Sequence, residues 1–484
     1  MEGMMLTLAA AIASLCSLVI SLGYHILIYL RALRYKGVSW VINPGSGEGL
    51  GSGGEGRVRL TIIVPTKNEP LDLLVEATKA RADAISRSKY CVGDVLIVTD
   101  DSEDYVRRLR EALKDEIGRG VVKIYWRRNP RGGRSGALDD GARAADGDYV
   151  MVLDSDSKVT PETLDNICLA ALEHGYPVII APWRGYAKED GRIPEAMTYS
   201  TNTVSHLLYR MRGKAGLFVF PLGSGTAFKK SVLEEVGYWG PNIIQDDIWI
   251  GTKLALKGYF PVVLEKGETE VLVPTRLKAL RVQQSRWAYG ASEVFSRTFL
   301  KILRHAKMGA FEKFEMFLYM LQPALTLLIL IAAILAFAAA ILEPGWTLWK
   351  ALHTPSLLAI GLLAEAVIIA YIAVQLKLSK HLGLCNNKEE AWNALVQLGR
   401  ATAMLGVLMP VMGLYALRGL LRFKYRYKIT PKKTSGIGRD WIPYAVLAFS
   451  AVGTAISIIH RNIVSLTILM PFLIVSVYSL FRLK

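Results

Sequence analysis

Six long apolar runs are the feature that most constrains how this chain can fold. One covers residues 5–30, and five more lie near 316–342, 355–376, 395–418, 441–460 and 463–480. A helix needs about 20 apolar residues to cross a bilayer, so each run is a candidate span. Only Tyr24 and His25 interrupt the first run. Residues 31–315 are polar and mixed, which predicts a membrane protein with one large hydrophilic domain.

The chain carries a formal net charge of +16. Such an excess is typical either of nucleic-acid binding or of the positive-inside rule, and we favour the second because Lys and Arg cluster beside the apolar runs. Arg31, Arg34 and Lys36 follow the first run, whereas Glu2 precedes it. This order is the reverse of a cleavable signal peptide. We therefore expect a retained span, contact with membrane lipids, no nucleic acid, and a multi-pass plasma-membrane protein with its polar domain in the cytoplasm.

The fourth run, 395–418, differs from the others because it contains Arg400 and Pro410. If it crossed the membrane, residues 418–440 would lie outside, although they hold eight Lys or Arg and one Asp. We therefore predict an interfacial or re-entrant helix and five true spans; six spans is the alternative. No predicted span contains a charged pair.

The four cysteines, Cys16, Cys91, Cys168 and Cys385, show no CxxC motif and no metal-binding spacing. We expect unpaired thiols in a reducing compartment.

Alternating strands and helices are predicted in the hydrophilic region. Apolar, β-branched runs that end in polar residues occur at 59–70, 94–102 and 148–157, a further strand is predicted at 121–126, and helical patterns occur at 71–89, 106–117 and 136–145. This alternation predicts a mostly parallel sheet, in which ligands bind beyond the carboxyl ends of the strands. Polar side chains follow three of these strands: Thr66, Asn68 and Glu69, then Asp100 and Asp101, then Asp154 and Asp156.

The LDSDS segment (153–157) places Asp154 and Asp156 two residues apart at a strand end. Paired carboxylates suit Mg²⁺ or Mn²⁺, which often bridges to substrate phosphates. A solvated acidic turn is the alternative for this motif alone.

A second acidic pair, Asp246 and Asp247, precedes an apolar helical pattern. A carboxylate beside an apolar wall can have a raised pKa, which suits a general base. A helix N-cap is the alternative, and we favour it for this motif taken alone because Asp is common before a helical pattern.

Two further segments have weaker signals. The LGSGTAF loop (222–228) is either a plain turn or a place where the backbone approaches a ligand. In QQSRW (283–287), Gln283, Arg286 and Trp287 share one helix face. Arg can bind a phosphate and Trp can stack on a sugar ring. An amphipathic helix on the bilayer surface is a second interpretation, compatible with the first.

Taken together, the motifs resemble membrane-integrated family 2 glycosyltransferases, the group of cellulose and hyaluronan synthases. IIVPTKNEP (62–70) resembles the first-strand PTYNEP motif, GRSGALDDGARAADGDYVMVLDSD (133–156) resembles the KAGALN segment running into DxD, QDD (245–247) resembles TED, and QQSRW fits QxxRW. YKITPK (427–432) resembles the FxVTPK gating loop. The resemblance covers roughly residues 58–300.

The resemblance implies a GT-A-type, Rossmann-like cytoplasmic domain inserted in an all-α multi-span membrane domain. The implied organisation is a transmembrane helix at 1–35, a Gly-rich linker at 36–57, the glycosyltransferase domain at 58–300, and at 301–484 a membrane domain with interfacial helices, a gating-like loop at 422–434 and about four spans.

The implied roles of the site residues fall into four groups. Asp247 is the general base, with Asp246 beside it, and Asp154 with Asp156 holds Mg²⁺ or Mn²⁺. The acceptor contacts Trp287 and the loop Gly223, Ser224 and Gly225. Nucleotide and donor bind to Thr66, Asn68, Glu69, Asp100, Asp101, Arg134, Asp154, Gln283 and Arg286.

Five positions, in three motifs, depart from the family pattern. Lys67 replaces an aromatic residue of PTYNE, Arg134 and Asp139 stand for Lys and Asn in KAGALN, and Gln245 and Asp246 precede the predicted base. None of these changes removes a catalytic carboxylate.

The predicted activity is inverting transfer of a sugar, from a UDP-sugar donor, to a growing β-linked polysaccharide that is moved across the membrane. A non-processive enzyme that makes a glycolipid is the alternative, so the acceptor is a glycan or a lipid. A nucleotide-binding transporter or receptor is a third hypothesis, and accessory subunits are not predictable.

Overall fold

The computed structural model describes residues 4–45, 56–425 and 440–483. Within them the strands are β1 (Val41–Ile42), β2 (Val58–Thr66), β3 (Cys91–Thr99), β4 (Val122–Trp126), β5 (Tyr149–Val152), β6 (Val178–Ile180), β7 (Trp183–Tyr186), β8 (Thr226–Lys229), β9 (Val262–Leu264) and β10 (Thr269–Leu272). Eight of them form one sheet in the order β1-β9-β6-β8-β5-β2-β3-β4. β8 runs antiparallel to both neighbours, whereas the other pairs are parallel. β7 and β10 pair in a second, small sheet.

The first helix is α1 (Met5–Arg34). The helices of the α/β domain are α2 (Leu71–Arg87), α3 (Glu103–Ala112), α4 (Lys114–Gly118), α5 (Gly133–Ala144), α6 (Pro161–His174), α7 (Arg192–Ser205), α8 (Arg212–Lys214), α9 (Lys230–Glu235), α10 (Asp246–Lys257) and α11 (Leu277–Leu303). A π-helical turn at His206–Met211 joins α7 to α8. The predicted alternation is confirmed, except that the 106–117 helix is divided at Leu113.

The central strands are apolar throughout because helices cover both faces of the sheet. Leu60, Ile62 and Val64 contribute to one core layer, and Ile63 of the same strand contributes to the opposite layer. Thr66 pairs in register with Thr99, and Ile63 with Val152. The three strands therefore end at one edge, where the polar residues that follow them are brought together.

The remaining helices are α12 (Ala310–Leu321), α13 (Thr326–Leu342), α14 (Leu348–Leu352), α15 (Pro355–His381), α16 (Lys388–Leu420), α17 (Ile442–Ile459) and α18 (Ile463–Arg482). A short 3₁₀ segment, Gln322–Leu325, joins α12 to α13. Six helical stretches are long and apolar enough to cross a membrane: α1, α12 with α13, α15, α16, α17 and α18.

Five of these stretches, all except α16, extend between two layers of contacts, one far from the sheet and one beside the α/β domain. Far from the sheet, Glu343 at the end of α13 accepts hydrogen bonds from the backbone N–H groups of Leu6 and Thr7, each at 2.8 Å. His460, after α17, bonds to Ala340 O in the same layer. At the other end, Arg31 of α1 donates to Ala215 O at 2.9 Å, and Ser379 of α15 bonds to Tyr199.

α16 differs because residues in both of its halves contact the side that holds the α/β domain. Arg400, in the first half of the helix, pairs with Glu195 of α7 at 2.8 Å. At its end, Leu420 O accepts a hydrogen bond from Ser296 of α11 at 2.9 Å. Between these two residues, Gly413 packs against the first residues of α13. The interfacial helix and the five spans stay a prediction, because α16 also meets the length and composition of a span.

The α/β domain is joined to the membrane helices by a buried ion pair. Arg212 contacts Glu315 of α12 at 2.6 Å, and both side chains are almost inaccessible to solvent. Tyr24 of α1 donates to Glu315 at 2.6 Å and also contacts Arg212. Glu315 lies one residue before the predicted 316–342 run and Arg212 belongs to the α/β domain, so this pair connects a membrane helix to that domain and does not lie within one predicted span.

The cysteine prediction is wrong for two of the four residues. Cys91 at the start of β3 and Cys168 of α6 form a disulfide with a Cα–Cα distance of 5.7 Å. Cys16 and Cys385 are free thiols. Spacing along the chain could not indicate this bond, because the two residues meet only when α6 packs beneath β3.

The contacts of α16 predict the side on which residue 435 lies. The segment 426–439 is outside the described residues, but its flanks both contact α11: Phe423 O accepts from Tyr289 at 2.8 Å, and Asp440 pairs with Arg281 at 2.6 Å. Single cysteines would be placed at Ser435, at exposed Ser86 of the α/β domain and at exposed Lys350 of the opposite layer, in a background with Cys16 and Cys385 changed to Ser.

When an impermeant maleimide is applied to sealed cells, we expect the cysteines at positions 435 and 86 to give the same labelling result. The cysteine at position 350 should give the opposite result. The six-span arrangement instead predicts that positions 435 and 350 react together. Detergent-permeabilised cells provide the control, because all three cysteines should then be labelled.

Candidate active site

One cavity of about 960 Å³ lies at the carboxyl edge of the sheet and reaches the membrane helices. It brings together most of the predicted site residues: Thr66, Asn68, Glu69, Asp100, Arg134, Asp154, Asp156, Gly223, Asp246, Asp247, Gln283, Arg286 and Trp287. Asp101, Ser224 and Gly225 are not among its lining residues. The predicted nucleotide, metal, base and QxxRW positions thus meet in one space, although they are spread over more than two hundred residues of sequence.

The ends of β2 and β3 form one wall of the cavity. Asn68 has a left-handed backbone, with φ of 56°. Its N–H donates to the Asp101 carboxylate at 2.6 Å, and that carboxylate also accepts from the Thr99 hydroxyl at 2.8 Å. Asp101 therefore fixes the loop, while Asp100 faces the cavity. Burial raises the pKa of Asp100, although the Arg127 guanidinium at 3.1 Å opposes that shift.

The turn after β5 is held from beneath by Arg81. This buried guanidinium donates to Asp154 O at 2.5 Å and to Ser157 O at 2.6 Å. Ser224 is fully buried behind the same turn, where its hydroxyl accepts from Asp154 N and donates to Ser157. Gly225 has a positive φ of 99°, and a Cβ there would lie 2.7 Å from Ala181 O. Ser224 and Gly225 thus support the acidic turn from behind, and Gly223 is the loop residue that lines the cavity.

Arg134, in the first turn of α5, connects the two acidic motifs. Its guanidinium contacts Asp154 at 2.8 Å, Gly223 O at 2.6 Å and the buried carboxylate of Asp246. The charge of Arg134 is therefore shared between the predicted metal-binding turn and the residue next to the predicted base.

Asp247 lies in the first turn of α10 and lines the cavity. The N-cap residue is Gln245, so the simple N-cap explanation of Asp247 is not supported, although its carboxylate does accept from Ile248 N at 2.7 Å. Burial, reinforced by the neighbouring Asp246 carboxylate, raises the pKa of Asp247 to about 7. A carboxyl group with a pKa near neutrality can accept a proton from a hydroxyl and release it again.

The QxxRW helix is α11, and its Gln283, Arg286 and Trp287 line the cavity. Trp287 stacks on Trp183 of β7, with ring centroids 6.1 Å apart and an interplanar angle of 27°. The indole N–H of Trp183 donates to Ser224 O at 2.6 Å. Two indoles therefore form one apolar wall of the cavity that Asp247 also lines, of the kind on which a sugar ring can stack.

Several lining residues lie outside the predicted site. Trp183 carries no motif signal, and Lys188, Tyr209 and Tyr319 line the cavity through tertiary packing. Tyr24 and His25 also line its membrane end. Their signal was present in the sequence, because both residues interrupt the first apolar run.

The donor set at the acidic turn fits a divalent ion shared with a substrate. Asp154 and Asp156 offer hard oxygen ligands, which Mg²⁺ and Mn²⁺ prefer. Across the ranges given above, no cluster of three or more His, Cys, Asp and Glu side chains is suited to hold a metal by itself. Two carboxylates at the cavity wall therefore suit an ion whose other ligands are water and the phosphates of a donor.

Residues 149–367 match the family model described as Glycosyl transferase family group 2. A probable glycosyltransferase of Sulfolobus acidocaldarius is 29% identical over 387 residues, which are 78% of this chain and 77% of that protein. The poly-beta-1,6-N-acetyl-D-glucosamine synthase of Staphylococcus aureus is 29% identical over 248 residues, which are 50% of this chain and 56% of that protein.

A solved structure supports the fold. Mannosyltransferase PcManGT from Pyrobaculum calidifontis, in complex with GDP-Man and Mn²⁺, superposes with a TM-score of 0.53 at 21% identity, covering 86% of this chain and all of that chain. The mostly parallel sheet is thus GT-A-like, which confirms the predicted fold class. The chain is a nucleotide-sugar-dependent glycosyltransferase, and its residues 149–367 are similar to the family 2 model. The narrower likeness to cellulose and hyaluronan synthases stays a prediction.

Because Asp154 and Asp156 supply the carboxylates at the donor site, we expect sugar transfer to require Mg²⁺ or Mn²⁺. Excess EDTA should abolish transfer, and added Mn²⁺ should restore it. Asp156→Ala should weaken binding of the nucleotide sugar as well as turnover, measured by equilibrium binding and by release of nucleoside diphosphate. Full activity in EDTA would contradict the metal assignment.

Proposed function

We propose that this protein transfers a sugar, with inversion, from a nucleotide-sugar donor to a growing β-linked polysaccharide at the membrane. The observation that carries this proposal is the shape of the cavity, which joins the acidic turn and Asp247 to polar groups on the membrane helices. The donor half and the acceptor half of the reaction can therefore meet at one carboxylate.

The donor half is assigned to the edge of the sheet. Asn68, Glu69 and Asp100 line the end where a nucleotide would lie, and Arg286 and Arg134 supply positive charge near the acidic turn. A divalent ion on Asp154 and Asp156 would neutralise negative charge on the diphosphate leaving group. We expect UDP as the nucleotide. The mannosyltransferase neighbour was solved with GDP-Man, so the nucleobase has to be identified by measurement.

The chemical step needs one proton acceptor on the acceptor side. An acceptor hydroxyl loses its proton to the Asp247 carboxylate while its oxygen attacks the anomeric carbon. The bond from that carbon to the diphosphate oxygen breaks at the same time, and the nucleoside diphosphate leaves with the bonding electrons. A single displacement inverts the anomeric centre, so an α-linked donor gives a β-linkage.

The acceptor half extends toward the membrane helices. His25 Nδ1 of α1, Ser205 Oγ of α7 and Gln322 Nε2 of the 3₁₀ segment are buried and make no hydrogen bond within the described part of the chain. All three residues line the cavity. A buried polar atom without a partner costs about 1–3 kcal/mol, so such atoms favour a guest with hydroxyl groups.

This polar end favours a glycan acceptor over the hydrocarbon tail of a glycolipid, which could not satisfy those atoms. The polysaccharide synthase among the relatives supports the same choice. A nucleotide-binding transporter or receptor would not need a base with a pKa near 7. Movement of the product across the membrane remains part of the proposal, as does the gating role of residues 427–432, which lie outside the described ranges.

We further propose that the α/β domain is cytoplasmic and the membrane is the plasma membrane. The support is the charge pattern: Arg31 and Arg34 lie in the last turn of α1 and Lys36 follows it, on the side of the α/β domain, and the positive-inside rule places such clusters in the cytoplasm.

Product length tests the acceptor assignment. With a radiolabelled nucleotide sugar, we expect label in a high-mass polymer that an organic solvent does not extract. His25→Leu with Gln322→Leu should shorten the product because the apolar side chains cannot bind hydroxyl groups. Donor binding should stay unchanged, since neither residue touches the acidic turn. Label in a single solvent-soluble species would favour the glycolipid alternative.

Asp247→Asn tests the base. The amide preserves shape but cannot accept the proton, so transfer should fall about 10²–10⁴-fold, while donor affinity should survive. In the unchanged enzyme, kcat/KM should rise with pH through about 7, because the Asp247 carboxylate must lose its proton before it can act. The variant should lose this rise. Near-normal turnover would remove Asp247 from the mechanism and make Asp246 the next carboxylate to test.

A further inference from the structure

Arg134 contacts groups from both acidic motifs at the donor site. Its guanidinium contacts one oxygen of Asp154, one oxygen of Asp246 and the carbonyl oxygen of Gly223. Asp154 is one of the two carboxylates that suit a divalent ion. A cationic side chain therefore already neutralises this carboxylate when neither metal nor donor is bound.

The two carboxylates are not equivalent partners of Arg134. The side chain of Asp246 is 8% exposed, whereas that of Asp154 is 46% exposed. An ion pair is weakened by solvent, so the contact with Asp154 is the easier one to give up. Asp246 is the anchor because breaking the buried pair would leave an uncompensated charge.

The backbone of the acidic turn does not depend on Arg134. Arg81 holds the carbonyl groups of Asp154 and Ser157 from beneath, and Ser224 accepts from Asp154 N at 3.1 Å. The Asp154 side chain can thus exchange one cation for another while the turn stays in place.

We propose that Arg134 is a resident counter-ion for Asp154 that a metal-bound donor displaces, and that the released guanidinium, still anchored on Asp246, turns to the diphosphate of the donor. This proposal rests on the proposed function, since it requires a nucleotide diphosphate at the acidic turn. It makes Arg134 a positioning residue that opposes metal binding without nucleotide and favours it with nucleotide. Productive metal binding is thereby tied to arrival of the donor.

The proposed displacement of Arg134 from Asp154 takes place close to Asp247, the predicted general base. Asp246 precedes Asp247, and a Cβ on Gly223 would lie 3.4 Å from Asp247 Oδ2 and 3.9 Å from the Arg134 guanidinium. The absence of a side chain at position 223 leaves this space open between the arginine and the base. The side chain of Arg134 can then move within the cavity while its contact with Asp246 persists.

The test is Mn²⁺ binding to the purified full chain, followed by the EPR signal of free Mn²⁺. Without nucleotide, Arg134→Gln should bind Mn²⁺ about tenfold more tightly, because a positive charge a few ångströms from the ion has been removed. With UDP or GDP present, the same variant should bind Mn²⁺ about tenfold more weakly, because a charge-assisted contact to the diphosphate is lost. A purely structural role does not predict opposite signs.

Arg143→Gln is the matched control, since Arg143 is on the same helix and stacks on Tyr238, away from the cavity. It should leave both affinities unchanged. Arg134→Lys keeps the charge but cannot bridge both carboxylates, so it should tighten nucleotide-free binding by about threefold and provides a milder variant if Arg134→Gln does not fold. Unchanged or weaker Mn²⁺ binding without nucleotide in a folded variant would overturn the proposal. A failure of sugar transfer would contradict the proposed function instead, because the EPR titration involves no transfer.

Discussion

The buried ion pair between Arg212 and Glu315 is the interaction on which the combined site depends. Two charges removed from water cost more than they gain unless each finds further hydrogen bonds. Here Arg212 also donates to Phe218 O at 2.5 Å, and Glu315 accepts from Tyr24 at 2.6 Å. Removing one partner of such a pair typically costs about 3–5 kcal/mol, because the other charge is left uncompensated. The α/β domain therefore has one favourable position against α1 and α12.

That position determines what lines the cavity. The Arg212 guanidinium lies over the ring of Tyr319 at 4.5 Å, and Tyr319 stacks on Phe220 with centroids 4.4 Å apart. Tyr319 and Tyr209 line the cavity together with Asp247. A membrane helix thus completes the wall around the predicted base. The same contacts place His25 and Gln322 at the far end, so the proposed acceptor path exists only when the two parts are docked.

How far sequence reasoning succeeded depends on whether the signal was local. Strand ends and the helical face of Gln283, Arg286 and Trp287 follow from periodicity within a few residues, and the structure brings these residues to one cavity. The disulfide joins residues 77 apart, and the Arg212–Glu315 contact joins residues 103 apart. No periodicity predicts such contacts, because they depend on which helix packs beneath which strand. For the same reason Trp183 was not predicted, and Ser224 was predicted to contact the acceptor although it lies behind the acidic turn. β8 enters the sheet antiparallel, and the loop before it passes behind that turn.

The disulfide changes the argument about orientation. Unpaired cysteines had supported a reducing compartment, and that support is removed for Cys91 and Cys168. Cytosolic disulfides are rare, although intracellular proteins of hyperthermophiles contain them. The cytoplasmic orientation therefore rests on the charges that flank the spans.

The two departures from the KAGALN pattern, Arg134 and Asp139, have a structural explanation. Arg134 and Asp139 lie about 140° apart around α5. Asp139 accepts the N–H groups of Trp239 and Gly240 at 2.8 and 3.0 Å, whereas Arg134 holds Asp246. The segment that ends at Asp247 is thus fixed by one helix at both of its ends. An aspartate can use two oxygens to accept these N–H groups where an asparagine has one, and an arginine can bridge two carboxylates where a lysine offers a single point charge. The substitutions therefore strengthen the support of the predicted base instead of removing it.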